Sequence, residues 1–419
     1  MRERTLLVHP WIYDFAAHDF GIKPIGLLRI ASLLRQRGDV YLVDCLAGCA
    51  RSKKESGFSK LRKENIEKPG ILKSIERPYF RYGISINLFK EKLSGVEEPT
   101  AIYVTSGMTY WYPGVMLAIK ILKEFFPKVP VTLGGIYATL CFEHAKTNSG
   151  SDHVWRGEYI DSGQETDFPA YDLLEDKDVL PLRISRGCPF RCSYCASEIL
   201  SPAFAQRDPV RVFEELMHCK KVFGTETFVF YDDALFYKPR SGIKKLLRMV
   251  KASGNALNFY TPNGLHARFI DEELVCLLRD TGFRDLRLSL ETSDKNIQRL
   301  TGDKVNNVDL ERAVLLLKEA GFEKKDIGVY ILVGAPWHDI KRTEEDILFV
   351  NSLGARAVLA SYSPIPGTED YRTLSDNGVI EGDLDPLWHN NTIFSERLMP
   401  GMMDEIRNLR RLTAKMNMI

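Results

Sequence analysis

Several features that would assign the protein to a membrane, to secretion or to a nucleic acid are missing from the sequence. No apolar run approaches the roughly 18 residues of a membrane-spanning helix, and the first residues become polar too soon for a signal peptide. Lysine and arginine number 57 against 56 acidic residues, and the net charge of +1 favours no polyanionic partner. We therefore expect a cytoplasmic protein with no transmembrane segment, no nucleic-acid partner and about two to three domains.

Cysteine is sparse, but three of the eight cysteines stand together. Cys188, Cys192 and Cys195 follow a short apolar run at CxxxCxxC spacing. Thiolates this close in sequence suit one metal ion or cluster, because a short loop can wrap it. A structural zinc site normally has four ligands, and the next candidates, His218 and Cys219, lie beyond a probable helix. The count therefore favours a four-iron, four-sulfur cluster with one open iron; a disulfide with a spare thiol, or cysteines packed as small hydrophobic residues, are the alternatives.

The cysteine motif, with Tyr194 before its last cysteine, resembles that of the radical S-adenosylmethionine (SAM) superfamily. The resemblance implies that the amino and carboxylate groups of SAM chelate the open iron. It further implies that an electron from the cluster cleaves SAM to a 5′-deoxyadenosyl radical, and that a flavodoxin-type or ferredoxin-type donor supplies the electron.

The first third of the chain alternates between strand and helix patterns. A buried run over 5–9, a helical pattern over 25–34 and a second buried run over 40–44 predict a βαβ unit, and the alternation resumes after residue 100. The pattern predicts an α/β, flavodoxin-like, doubly wound parallel sheet over residues 1–148. A lysine-rich and arginine-rich stretch within 51–95 is expected to be a solvated insertion.

Ligands of such sheets bind beyond the carboxyl ends of the strands. This region resembles the cobalamin-binding domain that precedes the radical domain in one large group of radical SAM proteins, on the segments Lys23-Pro-Ile-Gly26, 105–114 and 133–139. The resemblance assigns the loops after two strands to cobalamin, with five candidate contacts: Thr105, Ser106, Gly107, Gly134 and Gly135.

The match departs from the group at the axial histidine. Members that ligate cobalamin with histidine carry Asp-x-His-x-x-Gly, whereas this chain has Ala16 in place of the aspartate ahead of His18. Without the carboxylate that orients such a ligand, two alternatives stay open: cobalamin bound without a histidine, or a domain that no longer binds it. The aromatic run Tyr110, Trp111 and Tyr112 either lines a corrin face or packs into the core.

After a linker over 149–180, the strand and helix alternation repeats six times. It predicts a partial (β/α)6 barrel of the TIM type over 181–370, followed by a short helical C-terminal extension over 371–419. Chemistry in such barrels collects at the carboxyl ends of the strands. There the resemblance assigns seven residues to SAM: Tyr194, Asp232, Asp233, Asn263, Ser289, Glu291 and Gly334.

Each of these strand-end assignments has a structural alternative. Paired aspartates also cap helices, and Asn-Gly is an ordinary turn dipeptide. Ser289 and Glu291 alternate on one strand, so we expect them on the same face, although Glu291 could instead be held by Arg287. The C-terminal extension could contact the substrate or act only as a lid.

The leading hypothesis is a radical SAM enzyme that uses cobalamin to methylate an unactivated carbon of a small-molecule or lipid substrate. If cobalamin does not bind, a rearrangement, ring formation or oxidoreduction is expected. Methylthio transfer is disfavoured because Cys45, Cys49 and Cys141 do not match the spacing of its second cluster site. A non-enzymatic iron-sulfur or zinc protein is the remaining alternative.

Overall fold

The computed structural model describes residues 2–19, 21–48, 50–53, 59–159, 168–337, 339–380, 382, 384–398 and 403–418. The chain divides into two compact units. Unit 1 comprises Met1–Lys177 and Leu384–Asn390, and unit 2 comprises Asp178–Asp383 and Asn391–Ile419. No helix within the described ranges is long and apolar enough to cross a membrane.

Unit 1 is built on a parallel sheet. Its strands are β1 (Glu3–His9), β2 (Ile12–Asp14), β3 (Gly38–Asp44), β4 (Ala50–Lys53), β5 (Ser59–Leu61), β6 (Lys63–Ile66), β7 (Tyr79–Tyr82), β8 (Ala101–Val104), β9 (Val131–Leu133) and β10 (His153–Val154). Its helices are α1 (Ile25–Leu34), α2 (Ile86–Ser94), α3 (Tyr112–Phe125), α4 (Ile136–Leu140) and α5 (Phe142–Asn148).

The order of the main sheet is β10-β9-β8-β1-β3, and all its strands are parallel. The chain enters the sheet at β1, next to the edge that β3 then forms, and crosses back over β1 to add β8, β9 and β10 on the other side. Leu6, Leu7 and Val8 of β1 are fully buried, as expected of a strand with helices on both faces. The predicted flavodoxin-like, doubly wound topology is confirmed.

The stretch expected to be a solvated insertion ends inside the core. β2, β7 and β6 form a small antiparallel sheet, and α2 follows with Phe89 and Leu93 buried. The Phe89 ring meets the Trp11 ring edge-on at 4.8 Å between centroids. Residues 79–95 therefore differ from the expectation, because the apolar side of α2 covers the main sheet's core.

A second difference concerns the C-terminal extension. Pro386–His389 forms a 3-10 turn within unit 1, and Trp388, His389 and Asn390 are buried there. The charge and helix patterns of the sequence carry no signal for this return of the chain to the first unit.

Unit 2 contains the barrel strands. They are β11 (Val179–Leu182), β12 (Ser185–Arg186), β13 (Ala205–Gln206), β14 (Thr227–Phe230), β15 (Asn258–Tyr260), β16 (Leu286–Glu291), β17 (Ile327–Val333) and β18 (Arg356–Ser361). The helices are α6 (Ser197–Leu200), α7 (Pro209–Phe223), α8 (Ile243–Ser253), α9 (Glu272–Thr281), α10 (Lys295–Leu300), α11 (Asn307–Glu319), α12 (Ile340–Ser352), α13 (Glu369–Asp376), α14 (Phe394–Leu398) and α15 (Met403–Met418).

Six parallel strands form the partial barrel. β11-β14-β15 and β16-β17-β18 are each hydrogen-bonded in order, and parallel bridges at Phe259–Phe283 and Leu265–Leu288 connect the two sets. The first strand, β11, ends at Leu182. Ile184 and Ser185, just beyond it, bond a side chain described below. The C-terminal helix α15 packs against α12 and β18.

We expect Phe89→Ala to lower the free energy of unfolding of unit 1 by about 3–5 kcal/mol, because a large aromatic side chain is removed from a closed core. Leu88→Ala, on the same helix at a side chain that is 38% exposed, should change it by less than about 0.5 kcal/mol. Denaturant unfolding followed by circular dichroism measures both. Equal effects of the two substitutions would mean that α2 is not part of the core.

Candidate active site

The three cysteines of the predicted cluster loop are brought together after β12. Cys188 and Cys192 are half-buried, Cys195 is exposed, and all three thiols are free. Burial, with a smaller contribution from the nearby Cys192 and Cys195, raises the pKa of Cys188 to about 11. β12 pairs with β13, so the two ends of the loop are fastened to each other. Among the described residues no three side chains already surround a single metal ion, but three soft sulfur donors on one loop are of the type that an iron-sulfur cluster with one open metal position takes.

A buried carboxylate fixes the chain as it enters this loop. Asp232, just after β14, accepts hydrogen bonds from the Ile184 amide at 3.1 Å, the Ser185 amide at 2.5 Å and the Ser185 hydroxyl at 2.7 Å. Burial raises the pKa of Asp232 to about 6, although these bonds and Arg183 oppose the rise. Asp232 thus fixes the backbone at the entrance to the loop.

Two other predicted SAM contacts lie in the same corner. Asp233 is half-buried and close enough to Cys188 to raise the pKa of its thiol. The Asn263 amide donates to the Asp232 carbonyl at 3.1 Å. Gly264 is needed beside them, since a Cβ there would lie 2.1 Å from the Ser289 hydroxyl oxygen.

The expectation that Ser289 and Glu291 share one face is altered by a β-bulge. The pairing of β16 with β17 shifts register between these residues, and Glu291 has a φ of +70°. A non-glycine residue in this left-handed region costs roughly 1–3 kcal/mol and is typical of functional sites. The bulge turns the Glu291 carboxylate to Lys304, whose ammonium donates to it at 2.6 Å.

The ion pair between Lys304 and Glu291 is little exposed, at 14% and 12% of the two side chains. Burial alone would lower the pKa of Lys304, but Glu291, Tyr194 and Cys192 together raise it well above its usual value. Arg287, the alternative partner considered for Glu291, instead pairs with Asp285 at 2.6 Å.

Lys304 is a site residue that the sequence patterns missed. It lies in a turn that packs directly on the cysteine loop: a Cβ at Gly302, whose φ is +110°, would lie 2.8 Å from the Arg191 carbonyl oxygen. Its ammonium lies 5.6 Å from the centre of the Tyr194 ring. No local pattern predicts this contact, because the turn and the cysteine loop are far apart along the chain.

Gly334, a predicted SAM contact, follows β17 with a φ of +80°. A Cβ there would lie 2.7 Å from the hydroxyl oxygen of Ser395, in α14. Nearby, the Trp337 indole donates to Asp370 at 2.7 Å, and its ring lies 6.2 Å from that of Tyr194. Part of the C-terminal extension therefore covers this strand end.

The five predicted cobalamin contacts lie together at the carboxyl edge of unit 1's sheet. The Ser106 hydroxyl donates to the Gly134 carbonyl at 2.8 Å and accepts from the Tyr137 amide at 3.1 Å. Gly135 has a φ of +92°, and a Cβ there would lie 2.5 Å from the Ser106 carbonyl oxygen. The space above Gly134 is open, whereas Trp111 covers Gly107.

Large apolar side chains are exposed along this same edge. Met108 follows β8 and is 40% exposed, while Trp155 and Tyr159 follow β10 and are 47% and 41% exposed. The two aromatic rings lie 5.5 Å apart. Exposed apolar groups beside an open glycine fit a broad, flat ligand with an apolar face. His18, the candidate axial histidine, is exposed.

We expect the titration of Asp232 to be visible in the pH dependence of folding. Because its folded pKa of about 6 lies above the ordinary 3.8, its contribution to stability is full below pH 3.8 and is lost as the pH rises through about 6. The free energy of unfolding of the wild type should fall over this window by up to about 3 kcal/mol relative to Asp232→Asn. Asp233→Asn is the control. If the free energy of unfolding depends on pH in the same way in the wild type and in Asp232→Asn, Asp232 does not titrate in this window.

Lys304→Met should lower the free energy of unfolding of unit 2 by about 3–5 kcal/mol, because it leaves the Glu291 carboxylate buried without its cation. The double variant Lys304→Met, Glu291→Leu should recover most of this loss. Lys295→Met, at an exposed lysine, serves as the control. Additive losses in the double variant, measured by denaturant unfolding, would show that the two side chains are not coupled.

Comparison with known proteins agrees with this geometry. The Radical SAM superfamily model matches residues 182–348. An uncharacterised methyltransferase of Pyrococcus horikoshii is 24% identical over 406 residues, which cover 85% of this chain and 79% of the relative. An anaerobic magnesium-protoporphyrin IX monomethyl ester cyclase of Rubrivivax gelatinosus is 23% identical over 206 residues, which cover 48% of this chain and 36% of the relative.

Two solved structures share the fold over most of the chain. One is the radical SAM methyltransferase TsrM of Kitasatospora setae with cobalamin and a [4Fe-4S] cluster bound, at a TM-score of 0.64 and 16% identity, covering 90% of this chain and 78% of TsrM. The other is the cobalamin-dependent radical SAM enzyme OxsB with aqua-cobalamin, at 0.57 and 12%, covering 90% of this chain and 56% of OxsB. Residues 182–348 therefore match the radical SAM superfamily, and over most of its length the chain shares the fold of TsrM and OxsB.

Proposed function

We propose that the protein is a cobalamin-dependent radical SAM methyltransferase that methylates an unactivated carbon of a small-molecule substrate. The observation that carries the proposal is the pairing of two sites in one chain. A three-thiol loop lies at the carboxyl ends of the barrel strands, and an open, apolar, glycine-containing edge lies at the carboxyl ends of unit 1's sheet.

The loop residues Cys188, Cys192 and Cys195 would hold a [4Fe-4S] cluster. Their number leaves one iron for SAM, and their donor type suits iron rather than a closed zinc site. The strand-end residues around the loop would hold SAM: Tyr194, Asp233, Asn263, Ser289, Glu291 and Gly334, with Lys304 added. Asp232 would act through the loop backbone. When bound, the cluster and SAM supply a carbon-centred radical, and cobalamin supplies the methyl group.

The chain's own contribution to the radical step is burial and rigidity. The Lys304–Glu291 ion pair and the hydrogen bonds to Asp232 hold the loop by direct contacts within the protein. Trp337, Asp370 and the α14 segment cover the β17 end of the site. A covered and rigid mouth excludes water and other quenchers from a reactive intermediate.

The edge of unit 1 would bind the corrin. Gly134 leaves open space for a flat ring, and Met108, Trp155 and Tyr159 present apolar surface beside it. Because His18 is exposed, we propose binding without a histidine ligand. Thr105, Ser106, Gly107 and Gly135 would shape the loops that meet the ring.

One observation favours a second candidate, a cobalamin-independent radical SAM enzyme. Trp111 already covers Gly107, one of the five predicted contacts. In that case unit 1 would be a scaffold, and the reaction would need the radical alone. For either function we propose an external flavodoxin-type or ferredoxin-type electron donor and a reducing, cytoplasmic location, which suits free thiols and an iron-sulfur cluster.

We expect the anaerobically reconstituted protein to retain hydroxocobalamin through gel filtration at about one equivalent, read from its visible spectrum, and to transfer a labelled methyl group from SAM to product. Cys188→Ala should abolish SAM cleavage and leave cobalamin retention unchanged, because the two sites lie in different units. Cys276→Ala, at an exposed cysteine of α9, is the control and should change neither. Intact SAM cleavage without cobalamin retention would establish the second candidate.

A further inference from the structure

Asp14, at the end of β2, is a buried carboxylate that connects two distant parts of unit 1. It is 2% exposed. One oxygen accepts from the Trp111 indole at 2.9 Å, and the other accepts from the Asn390 side-chain amide at 2.8 Å and the Ala16 amide at 3.3 Å. None of these donors carries a charge, and burial raises the pKa of Asp14.

Trp111 belongs to the wall of a pocket at the carboxyl edge of the sheet. The pocket is also lined by Thr105, Ser106 and Gly107, three of the predicted cobalamin contacts. The indole ring covers Gly107, since a Cβ there would lie 2.9 Å from a ring carbon. Its bond to Asp14 fixes the rotation of the ring, so the wall is formed before any ligand arrives.

Asn390 comes from the segment Leu384–Asn390, which returns to unit 1 from the far end of the sequence. Its side chain is 2% exposed. The segment has a second attachment, in which the Tyr112 hydroxyl lies 3.3 Å from both Asp385 oxygens. One attachment is to Asp14, the hydrogen-bond partner of Trp111, and the other is to Tyr112, the residue after Trp111. Both hold the segment against the part of the chain that carries the indole.

We propose that Asn390 and Asp14 are positioning residues that fix Trp111 as an aromatic wall of the cobalamin site, an inference that rests on the proposed function. A flat conjugated ring packs well on an indole face, and an indole already held in place loses little rotational freedom when a ligand binds. The C-terminal segment then affects cofactor binding indirectly, through Asp14 and Trp111.

The test compares the wild type with Asn390→Ala, Trp111→Phe and the double variant, all as full-length, anaerobically reconstituted protein. Hydroxocobalamin affinity is measured by visible spectral titration. Each single variant should weaken binding about tenfold, because one buried hydrogen bond to a carboxylate is lost. The double variant should bind no more than about threefold more weakly than either single one, because both substitutions break the same chain of contacts. Glu175→Gln, at an exposed pair with Lys92, is the control.

Hydrogen-deuterium exchange supplies a readout that does not need the cofactor. Asn390→Ala should speed amide exchange in residues 106–112 and leave β1 unchanged. If the wild type and both single variants bind hydroxocobalamin with the same affinity, the inference is overturned and the proposed function is unaffected. If the wild type binds no hydroxocobalamin, the proposed function is wrong, and Trp111 is not the wall of a cobalamin site. Unchanged exchange in residues 106–112 would overturn the positioning role in every case.

Discussion

The position of the thiol loop depends on one buried carboxylate. A loop of ten residues with three cysteines has no regular structure to hold it, so its place is set where the chain enters and leaves it. Asp232 accepts from the backbone of Ile184 and Ser185 at the entrance, and β13 pairs with β12 beside the exit. The turn at Gly302 then packs on the loop from outside. The remaining strand-end side chains can act on a cluster only because these contacts locate it.

The same geometric rule applies to both units. Parallel strands end on one edge, so residues that follow successive strands come together without being close in sequence. In unit 2 that edge gathers charged and hydroxyl groups around the thiols. In unit 1 it gathers glycines and exposed aromatic rings. This chemical contrast between the two edges is what the proposal of a polar, charged ligand in unit 2 and a broad, apolar ring in unit 1 rests on.

Patterns among residues that are close together in the sequence predicted the fold well. The βαβ alternation predicted both parallel sheets, and the CxxxCxxC spacing led to the cluster loop and its family. The features that were missed all depend on contacts between distant segments. Lys304 reaches Glu291 only because a bulge rotates that carboxylate, and alternation in the sequence contains no information about a bulge. The burial of Phe89 and of the Leu384–Asn390 segment likewise follows from which surface each one meets. The precise roles of the predicted SAM and cobalamin contacts stay predictions.

The return of Leu384–Asn390 to unit 1 has a consequence for synthesis on the ribosome. Residues 1–177 leave the ribosome early, yet the side chain that completes the bonding of Asp14 is made more than two hundred residues later. At about 5–20 residues per second, that interval is roughly 10 to 40 s. Throughout it the first unit carries a buried carboxylate short of one donor, beside a surface that Trp388 has yet to cover. The first unit can therefore reach its final packing only after residues 384–390 have been synthesised.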